Sequence, residues 1–113
     1  MHEYSIVQAL VSKVEAEARA RQALRVHRLR VRVGELSGVD ADLLQTAFLT
    51  FREGTVCAQA SLEVQRVEVC WRCELCGAVI GQGEVLRCAA CDAPARLAAG
   101  GELYLDQIEM EVP

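Results

Sequence analysis

The sequence predicts an α+β fold: two helices on a small three-stranded sheet, with an inserted zinc-ribbon module bound by four cysteines. Two segments carry apolar residues at helical spacing, three segments alternate like strands, and two Cys-x-x-Cys pairs lie eleven residues apart. The last strand must rejoin the first two, because a small cysteine module offers it nothing to pack against. We therefore expect an α/β domain of residues 1–69 plus 98–113 and a zinc-binding domain of residues 70–97.

The first helix and strand follow from hydrophobic periodicity. Residues 3–22 carry an apolar stripe of Val7, Leu10, Val11, Val14 and Ala18. Residues 26–33 alternate, with His27, Leu29, Val31 and Val33 on one face and Arg28, Arg30 and Arg32 on the other. This parity predicts a buried, structural His27. It predicts that the arginine row is a solvated sheet face, with an acidic partner as the alternative.

The second helix is predicted over residues 41–52, with Asp40 as its N-cap and Gly54 ending it. The pattern of residues 60–69 predicts a strand in which the apolar residues change from one face to the other. We therefore expect a bulge near Gln65 and Arg66. Residues 102–112 predict the third strand, with one face made of Tyr104, Ile108, Met110 and Val112.

The cysteine pairs indicate a structural zinc site with ligands Cys73, Cys76, Cys88 and Cys91. Gly77 and Asp92 follow the pairs and suit the positive φ that such turns need. Disulfides or a redox motif are the alternatives, although nothing after Cys76 reads as the helix that a redox motif requires. We expect a hairpin whose arms are Val79-Ile80 and Val85-Leu86, with its turn at residues 81–83. No internal repeat is evident beyond the two pairs.

The amino-acid composition and the motifs that the sequence lacks narrow the range of possible functions. With 16 acidic and 12 basic residues among 113, the net charge of −4 argues against nucleic acid as a partner. No secretory signal or membrane-spanning stretch is evident, and cysteines at metal spacing suggest the reducing cytoplasm. No nucleophile–base pair, phosphate loop or open metal site is visible, so we predict no catalytic residue and no enzyme. The alternative function is a zinc-ribbon module for nucleic acid or transcription machinery.

The amino-terminal residues Met1-His2-Glu3 form a potential chelate. The terminal amine, the His2 backbone nitrogen and the His2 imidazole can close fused five- and six-membered rings on one metal ion. Nickel(II) and copper(II) accept such square-planar nitrogen sets, whereas zinc has no such preference. A histidine near the start of a chain by chance is the alternative interpretation.

Four motifs together resemble one family. They are Met1-His2-Glu3-Tyr4-Ser5, residues 34–40 (Gly-Glu-Leu-Ser-Gly-Val-Asp), Phe51-Arg52-Glu53-Gly54 and the cysteine segment that begins Cys70-Trp71-Arg72-Cys73. In this order they resemble the HypA/HybF nickel metallochaperones, which serve the maturation of [NiFe]-hydrogenase and, in some organisms, urease. The resemblance covers essentially the whole chain.

The resemblance implies that Ni(II) is transient cargo, bound by Met1, His2 and Glu3, and that Zn(II) is structural. His2 would provide its side chain, beside the backbone nitrogens of His2 and Glu3. Asp40 matches an acidic position near that site, and the helix cap remains an equal interpretation. The implied partners are a HypB-type GTPase and the [NiFe]-hydrogenase large subunit. The resemblance leaves room for a urease accessory protein and a homodimer, and implies neither nucleic acid nor a membrane.

The chain departs from the family pattern around its cysteines. Its second pair is Cys-Ala-Ala-Cys-Asp, where many members have Cys-Pro-x-Cys-Gly, and no histidine lies beside either pair. A zinc site that changes ligands is therefore not expected here. An extra Cys-x-x-Cys overlaps the first pair, and we assign Cys70 as a spare thiol because Gly77 follows Cys76. Cys57 is interpreted as a small hydrophobic residue.

Overall fold

The computed structural model describes residues 2–81 and 85–113, with His2 described only for its backbone. The elements are α1 (His2–Ala20), β1 (Arg25–Gly34), α2 (Ala41–Phe51), β2 (Ser61–Val67), β3 (Cys70–Cys73), β4 (Val79–Ile80), β5 (Ala95–Ala99) and β6 (Leu103–Glu111). Neither helix of this described part has the length and hydropathy of a bilayer-spanning segment.

The strands form two separate three-stranded sheets. The larger sheet has the order β2-β1-β6, with β1 parallel to β2 and antiparallel to β6. The smaller sheet has the order β4-β3-β5 and is antiparallel throughout. The predicted fold class is confirmed, including the return of the last strand to the first two.

The two helices cover one face of the larger sheet. The predicted stripe of α1 is buried, and Leu44 and Phe48 of α2 are both fully buried. The cluster also contains Val26, Leu29, Val31 and Val33 from β1 and Leu62 from β2. Burying such side chains contributes about 1.5–3 kcal/mol each, so this cluster supplies the main driving force for folding.

His27 corrects the expectation that it is buried. Val26 pairs with Met110 and Arg28 pairs with Glu109, so His27 is an extra residue in a β-bulge. The bulge places Val26 in the core at 1% exposure, while His27 faces solvent and its Nε2 lies 3.2 Å from a Glu111 carboxylate oxygen. The alternation of apolar and polar residues does not by itself reveal a bulge. The extra residue exchanges the two faces for all residues that precede it in the strand.

Tyr104 corrects the prediction that it shares a face with Ile108 and Met110, and the reason is again a bulge. A second bulge at Asp106 in β6 separates the pairs Arg30–Gln107 and Val31–Leu105. The apolar residues that pack against the core are consequently Leu103, Leu105, Ile108 and Met110. Tyr104 instead lies on the outer face, where its ring centroid is 4.9 Å from the Arg32 guanidinium carbon, and Val112 is half-exposed.

The strand β2 contains no bulge at Gln65 and Arg66, which also corrects the prediction. Its parallel pairing with β1 runs without a break from Ser61 to Val67. Leu62 and Val64 pack on the helical core, whereas Val67 is half-buried as the last residue of the strand and Val69 lies beyond its end. The change in apolar parity therefore falls at the end of the strand and requires no bulge.

The cysteine module is also built differently from the predicted hairpin. Val79 and Ile80 form β4 and pair with Arg72 and Trp71 of β3, while Val85 and Leu86 lie outside the strands. Of the predicted turn, Gln82 and Gly83 lie outside the described residues. The strand β5 was not predicted, since Ala95–Ala99 lacks the β-branched and aromatic residues that usually mark a strand.

The molecule is elongated. Its Cα radius of gyration is 17.9 Å, whereas a compact domain of this length has about 13 Å. The two sheets meet at a narrow neck, where Gly34 approaches the Gly100 backbone so closely that a Cβ at Gly34 would lie 2.4 Å from the Gly100 carbonyl carbon. The Leu36 amide donates to the Gly100 carbonyl at 2.7 Å. The segment 34–40 therefore starts at this neck and ends at Asp40.

Candidate metal centres

Four cysteines converge at the end of the small sheet. Cys73 closes β3, Cys76 follows one turn later, and Cys88 and Cys91 come from the second turn. Their Sγ atoms all lie within 4.8 Å of one another, and those of Cys76 and Cys88 are 3.8 Å apart. A tetrahedron with Zn–S bonds of about 2.3 Å has sulfur–sulfur edges of about 3.8 Å. The cluster therefore has the size of a four-thiolate metal site.

Each turn has the backbone conformation that the sequence predicts. Gly77 has φ of 76° and Asp92 has φ of 55°. The Gly77 amide donates to the Cys73 carbonyl at 3.0 Å, and the Asp92 amide donates to the Cys88 carbonyl at 2.8 Å. These bonds close both turns, so that the two thiols of each pair point in the same direction.

The electrostatics of the cluster favour a cation. Hydrogen bonds from the amides of Cys76 and Leu75, at 3.4 and 3.3 Å, stabilise the Cys73 thiolate. They lower the pKa of Cys73 to about 6. At Cys91, hydrogen bonding with the Cys76 thiol is the largest of the causes that raise the pKa to about 12. Four adjacent thiols cannot all ionise without a compensating charge, and a bound divalent cation supplies that charge.

The burial of the four cysteines alternates within each pair. Cys73 and Cys88 are buried, whereas Cys76 and Cys91 are exposed. Four sulfur donors suit zinc, which takes a closed tetrahedral site without an open position for substrate. Such a metal would hold the two turns together and provide no reactive coordination position.

The two remaining cysteines lie outside the cluster. Cys70 is half-buried at the start of β3, opposite Ala99. Cys57 is fully buried in the helical core, and desolvation raises the pKa of its thiol to about 11. It therefore behaves as a small apolar side chain, in agreement with the sequence interpretation.

Of the candidate nickel residues, the structure brings Glu3 and Asp40 together. Met1 and the side chain of His2 lie outside the described residues. The Asp40 amide donates to the Glu3 carboxylate at 3.0 Å, so the segment before α2 lies against the start of α1. The helix α1 begins at His2, and amides in the first turn of a helix have no carbonyl partner within that helix.

Asp40 is the N-cap of α2. Its Oδ1 accepts hydrogen bonds from the amides of Asp42 and Leu43, at 2.9 and 3.1 Å. The cap interpretation is thus confirmed, and the contact with Glu3 shows that the same residue also lies beside the amino-terminal turn.

The arginine row is neutralised by acidic residues of the flanking strands. Arg28 contacts Glu63 and Glu109 at 3.3 and 2.7 Å. Arg30 contacts Glu63 at 3.2 Å, and Arg32 contacts Asp106 at 2.6 Å. The Arg28 hydrogen bond also lowers the pKa of Glu109. A surface so compensated has little net attraction for phosphates, which disfavours the nucleic-acid alternative.

Sequence reasoning missed one feature of the cysteine turns. Arg72 and Arg87 each precede a pair, and each guanidinium donates to a backbone carbonyl just after that pair. The available signal was a repeat longer than the cysteine pairs themselves, Arg-Cys-x-x-Cys-x-Ala, at residues 72–78 and 87–93.

The helix-covered sheet and the zinc-ribbon module with its four clustered cysteines define a small two-part metal-binding protein. The family model described as "Hydrogenase/urease nickel incorporation, metallochaperone, hypA" matches residues 1–110. The chain belongs to this family, as its motifs indicate.

Individual relatives agree with this assignment. The hydrogenase maturation factor HypA of Wolinella succinogenes is 40% identical over 114 aligned positions, covering 98% of this chain and 96% of that protein. HypA of Aquifex aeolicus is 37% identical and covers 99% of each chain. The solution structure of the Ni metallochaperone HypA from Helicobacter pylori has a TM-score of 0.73 at 32% identity, over 98% of both chains. Another HypA solution structure has a TM-score of 0.81 at 34% identity, over 97% of this chain and 96% of that chain.

Proposed function

We propose that this protein carries Ni(II) at its amino terminus and delivers it for the maturation of [NiFe]-hydrogenase, with urease as a further client. In this proposal the protein is a carrier and not an enzyme. Residues 1–69 plus 98–113 form the nickel-binding domain, and residues 70–97 form the zinc-binding domain. Six free cysteines suit a reducing compartment, so we place the protein in the cytoplasm.

The nickel ligands in this proposal are Met1, His2, Glu3 and, as an acidic neighbour, Asp40. The observation that carries it is the contact between Glu3 and the Asp40 amide in a member of a nickel-incorporation family. Because α1 begins at His2, the amides of His2 and Glu3 are in the first turn, where ionisation on nickel breaks no bond within the helix.

Charge also supports this site. A helix amino terminus carries a partial positive charge, which alone would repel a cation. Ionised peptide nitrogens and the carboxylates of Glu3 and Asp40 offset that charge.

The zinc ligands in this proposal are Cys73, Cys76, Cys88 and Cys91. The support is their mutual distance within 4.8 Å and their all-sulfur donor set. This zinc would stabilise the module structurally. A protein with neither a phosphate loop nor a nucleophile–base pair would depend on a partner for nucleotide hydrolysis, so we propose a HypB-type GTPase and the hydrogenase large subunit as partners.

The test is a nickel titration of zinc-loaded protein, followed by absorption spectroscopy, with its natural start and with one extra residue before Met1. We expect a square-planar nickel band only for the natural start. The chain has two histidines, so His27→Ala is the matched control for His2→Ala. Loss of nickel binding with His2→Ala and retention with His27→Ala would support the proposal. Equal spectra for the natural and extended forms would exclude the terminal amine as a ligand.

A further inference from the structure

The two cysteine turns are local copies of one another. Residues 72–78 and 87–93 share arginine, two cysteines and alanine at equivalent positions. Their backbone bonds also correspond: the Cys73 amide donates to the Ala78 carbonyl at 2.8 Å, and the Cys88 amide donates to the Ala93 carbonyl at 2.9 Å. The repeat is therefore one of conformation as well as sequence.

The arginine side chains repeat the same contact. Arg72 Nη1 donates to the Gly77 carbonyl at 2.8 Å. Arg87 Nη2 donates to the Asp92 carbonyl at 2.7 Å. Each guanidinium thus binds the residue that follows the second cysteine of its own turn, which is the residue with positive φ.

This contact restrains the part of the turn that orients the second thiol. The residue with positive φ reverses the chain directly after Cys76 or Cys91, and both of these cysteines are exposed. A positive φ is unfavourable for Asp92, so a bond that fixes its carbonyl offsets part of that cost. A charged donor to a carbonyl is also stronger than a neutral one.

Charge provides a second reason for arginine at these positions. Four thiolates around a divalent cation leave a net charge of −2. The guanidinium of Arg72 brings one positive charge close to that centre in sequence, whereas the charge of Arg87 is shared with the Asp92 carboxylate. Arginine keeps its charge at every pH at which the protein is folded.

We propose that Arg72 and Arg87 are positioning residues that hold the two cysteine turns in ligating geometry, so that the centre captures a divalent metal ion and retains it. This inference rests on the proposed zinc centre and deepens it, because it assigns the retention of the metal to residues that are not ligands.

The two arginines are not equivalent. Arg72 is half-buried and lies in β3, the central strand of the small sheet. Arg87 additionally contacts the Asp92 carboxylate at 3.2 Å, but the two side chains are 54% and 89% exposed. An exposed ion pair contributes little. We therefore expect loss of Arg72 to weaken metal retention more than loss of Arg87.

The experiment compares Arg72→Ala and Arg87→Ala with the matched control Arg96→Ala, which removes an arginine of β5 directly across from Arg72. Zinc content is measured first in the wild type. Zinc release to excess chelator is then followed in all variants, and Co(II)-substituted protein is examined for its thiolate charge-transfer bands. We expect release to accelerate about tenfold for Arg72→Ala and about threefold for Arg87→Ala, with no change for Arg96→Ala.

Arg72→Lys tests whether the hydrogen bond itself matters. Lysine can donate one bond to the Gly77 carbonyl, so we expect the Co(II) spectrum and slow release to return, even if Arg72→Ala binds no metal. A wild type without metal at the four cysteines would overturn both this inference and the zinc proposal. A wild type with metal whose alanine variants behave like Arg96→Ala, or an Arg72→Lys variant without rescue, would overturn this inference alone.

Discussion

The helical part of the chain and the cysteine module differ in what holds them together. Within the described residues, the helical part has a cluster of fourteen buried residues drawn from both helices, the large sheet and the loop between α2 and β2. The cluster of the cysteine module, within the described residues, has four buried residues, and two of them are Cys73 and Cys88. Apolar burial is sufficient for the first region. The second region has a much smaller cluster, so in the proposal a metal that cross-links the cysteines would supply the missing stability.

The comparison also separates the two proposed metal roles. At the cysteine module the proposed donors come from two closed turns, so a metal bound there would be part of the fold. At the amino terminus the proposed donors come from the first turn of a helix whose apolar stripe is already buried. A metal proposed for that site could therefore leave without unfolding the helix, as cargo requires.

Metal removal is expected to have the largest effect. Structural zinc contributes about 10–16 kcal/mol of apparent binding free energy in small domains. Stripping zinc, or replacing Cys73 with serine, should unfold residues 70–97 and leave α1 and α2 intact. Hydrogen exchange measured by residue would show lost protection confined to the module, restored by added zinc in the unsubstituted protein. Retention of module protection without metal would contradict the comparison.

Truncating a side chain in the helical core is expected to destabilise the helical part of the chain and to leave the cysteine module unaffected. Leu44 is fully buried and Leu43 is 52% exposed, so Leu43→Ala is a matched control for Leu44→Ala. Leu44→Ala should lower the free energy of unfolding by about 3–5 kcal/mol, and Leu43→Ala by less than about 0.5 kcal/mol. Urea denaturation measures both. Zinc content should not change in either variant, and its loss in Leu44→Ala would show that the two regions fold as one unit.

The burial of Cys57 in the core is expected to make the free energy of unfolding depend on pH. Its pKa is raised from the ordinary value of 9.0 to about 11 in the folded chain, so the folded state favours the neutral thiol. That stabilisation is complete below pH 9 and is lost as pH rises through 11, and it amounts to about 3 kcal/mol at most. The stability advantage of wild type over Cys57→Ala, measured by urea denaturation, should therefore shrink between pH 9 and pH 11. A constant difference would show that the thiol is not desolvated.

Substitutions of Asp40 are expected to have the smallest effect on stability. They distinguish its role as a helix cap from its proposed role in nickel binding. Asp40→Ala should cost about 1 kcal/mol through loss of the α2 cap, whereas Asp40→Asn should retain the cap because asparagine is an equally good N-cap residue. Thermal denaturation compares the two. If Asp40 also assists nickel, Asp40→Asn should weaken nickel binding at nearly unchanged stability. Unchanged nickel affinity in Asp40→Asn would leave the residue as a cap only.

The amino-acid sequence by itself determined the two helices, the Asp40 cap and the two cysteine turns, one with Cys73 and Cys76 and the other with Cys88 and Cys91. Each depends on contacts within a few residues: helical periodicity, a side chain bonded to the next turn, and a turn conformation at Gly77 and Asp92 that local chemistry favours. Local physics is the same in the isolated segment and in the folded chain, so these features could be predicted.

Only the tertiary structure decided the faces of the strands and the partners of the arginines. Bulges at His27 and Asp106 arise where β1 and β6 must match each other, and neither strand alone contains that information. The strand β5 exists because β3 provides an edge for it. The contact of Glu3 with the Asp40 amide likewise joins groups 37 residues apart. Such features depend on which residues pair between distant segments. The alternation of residues within one segment does not specify that register.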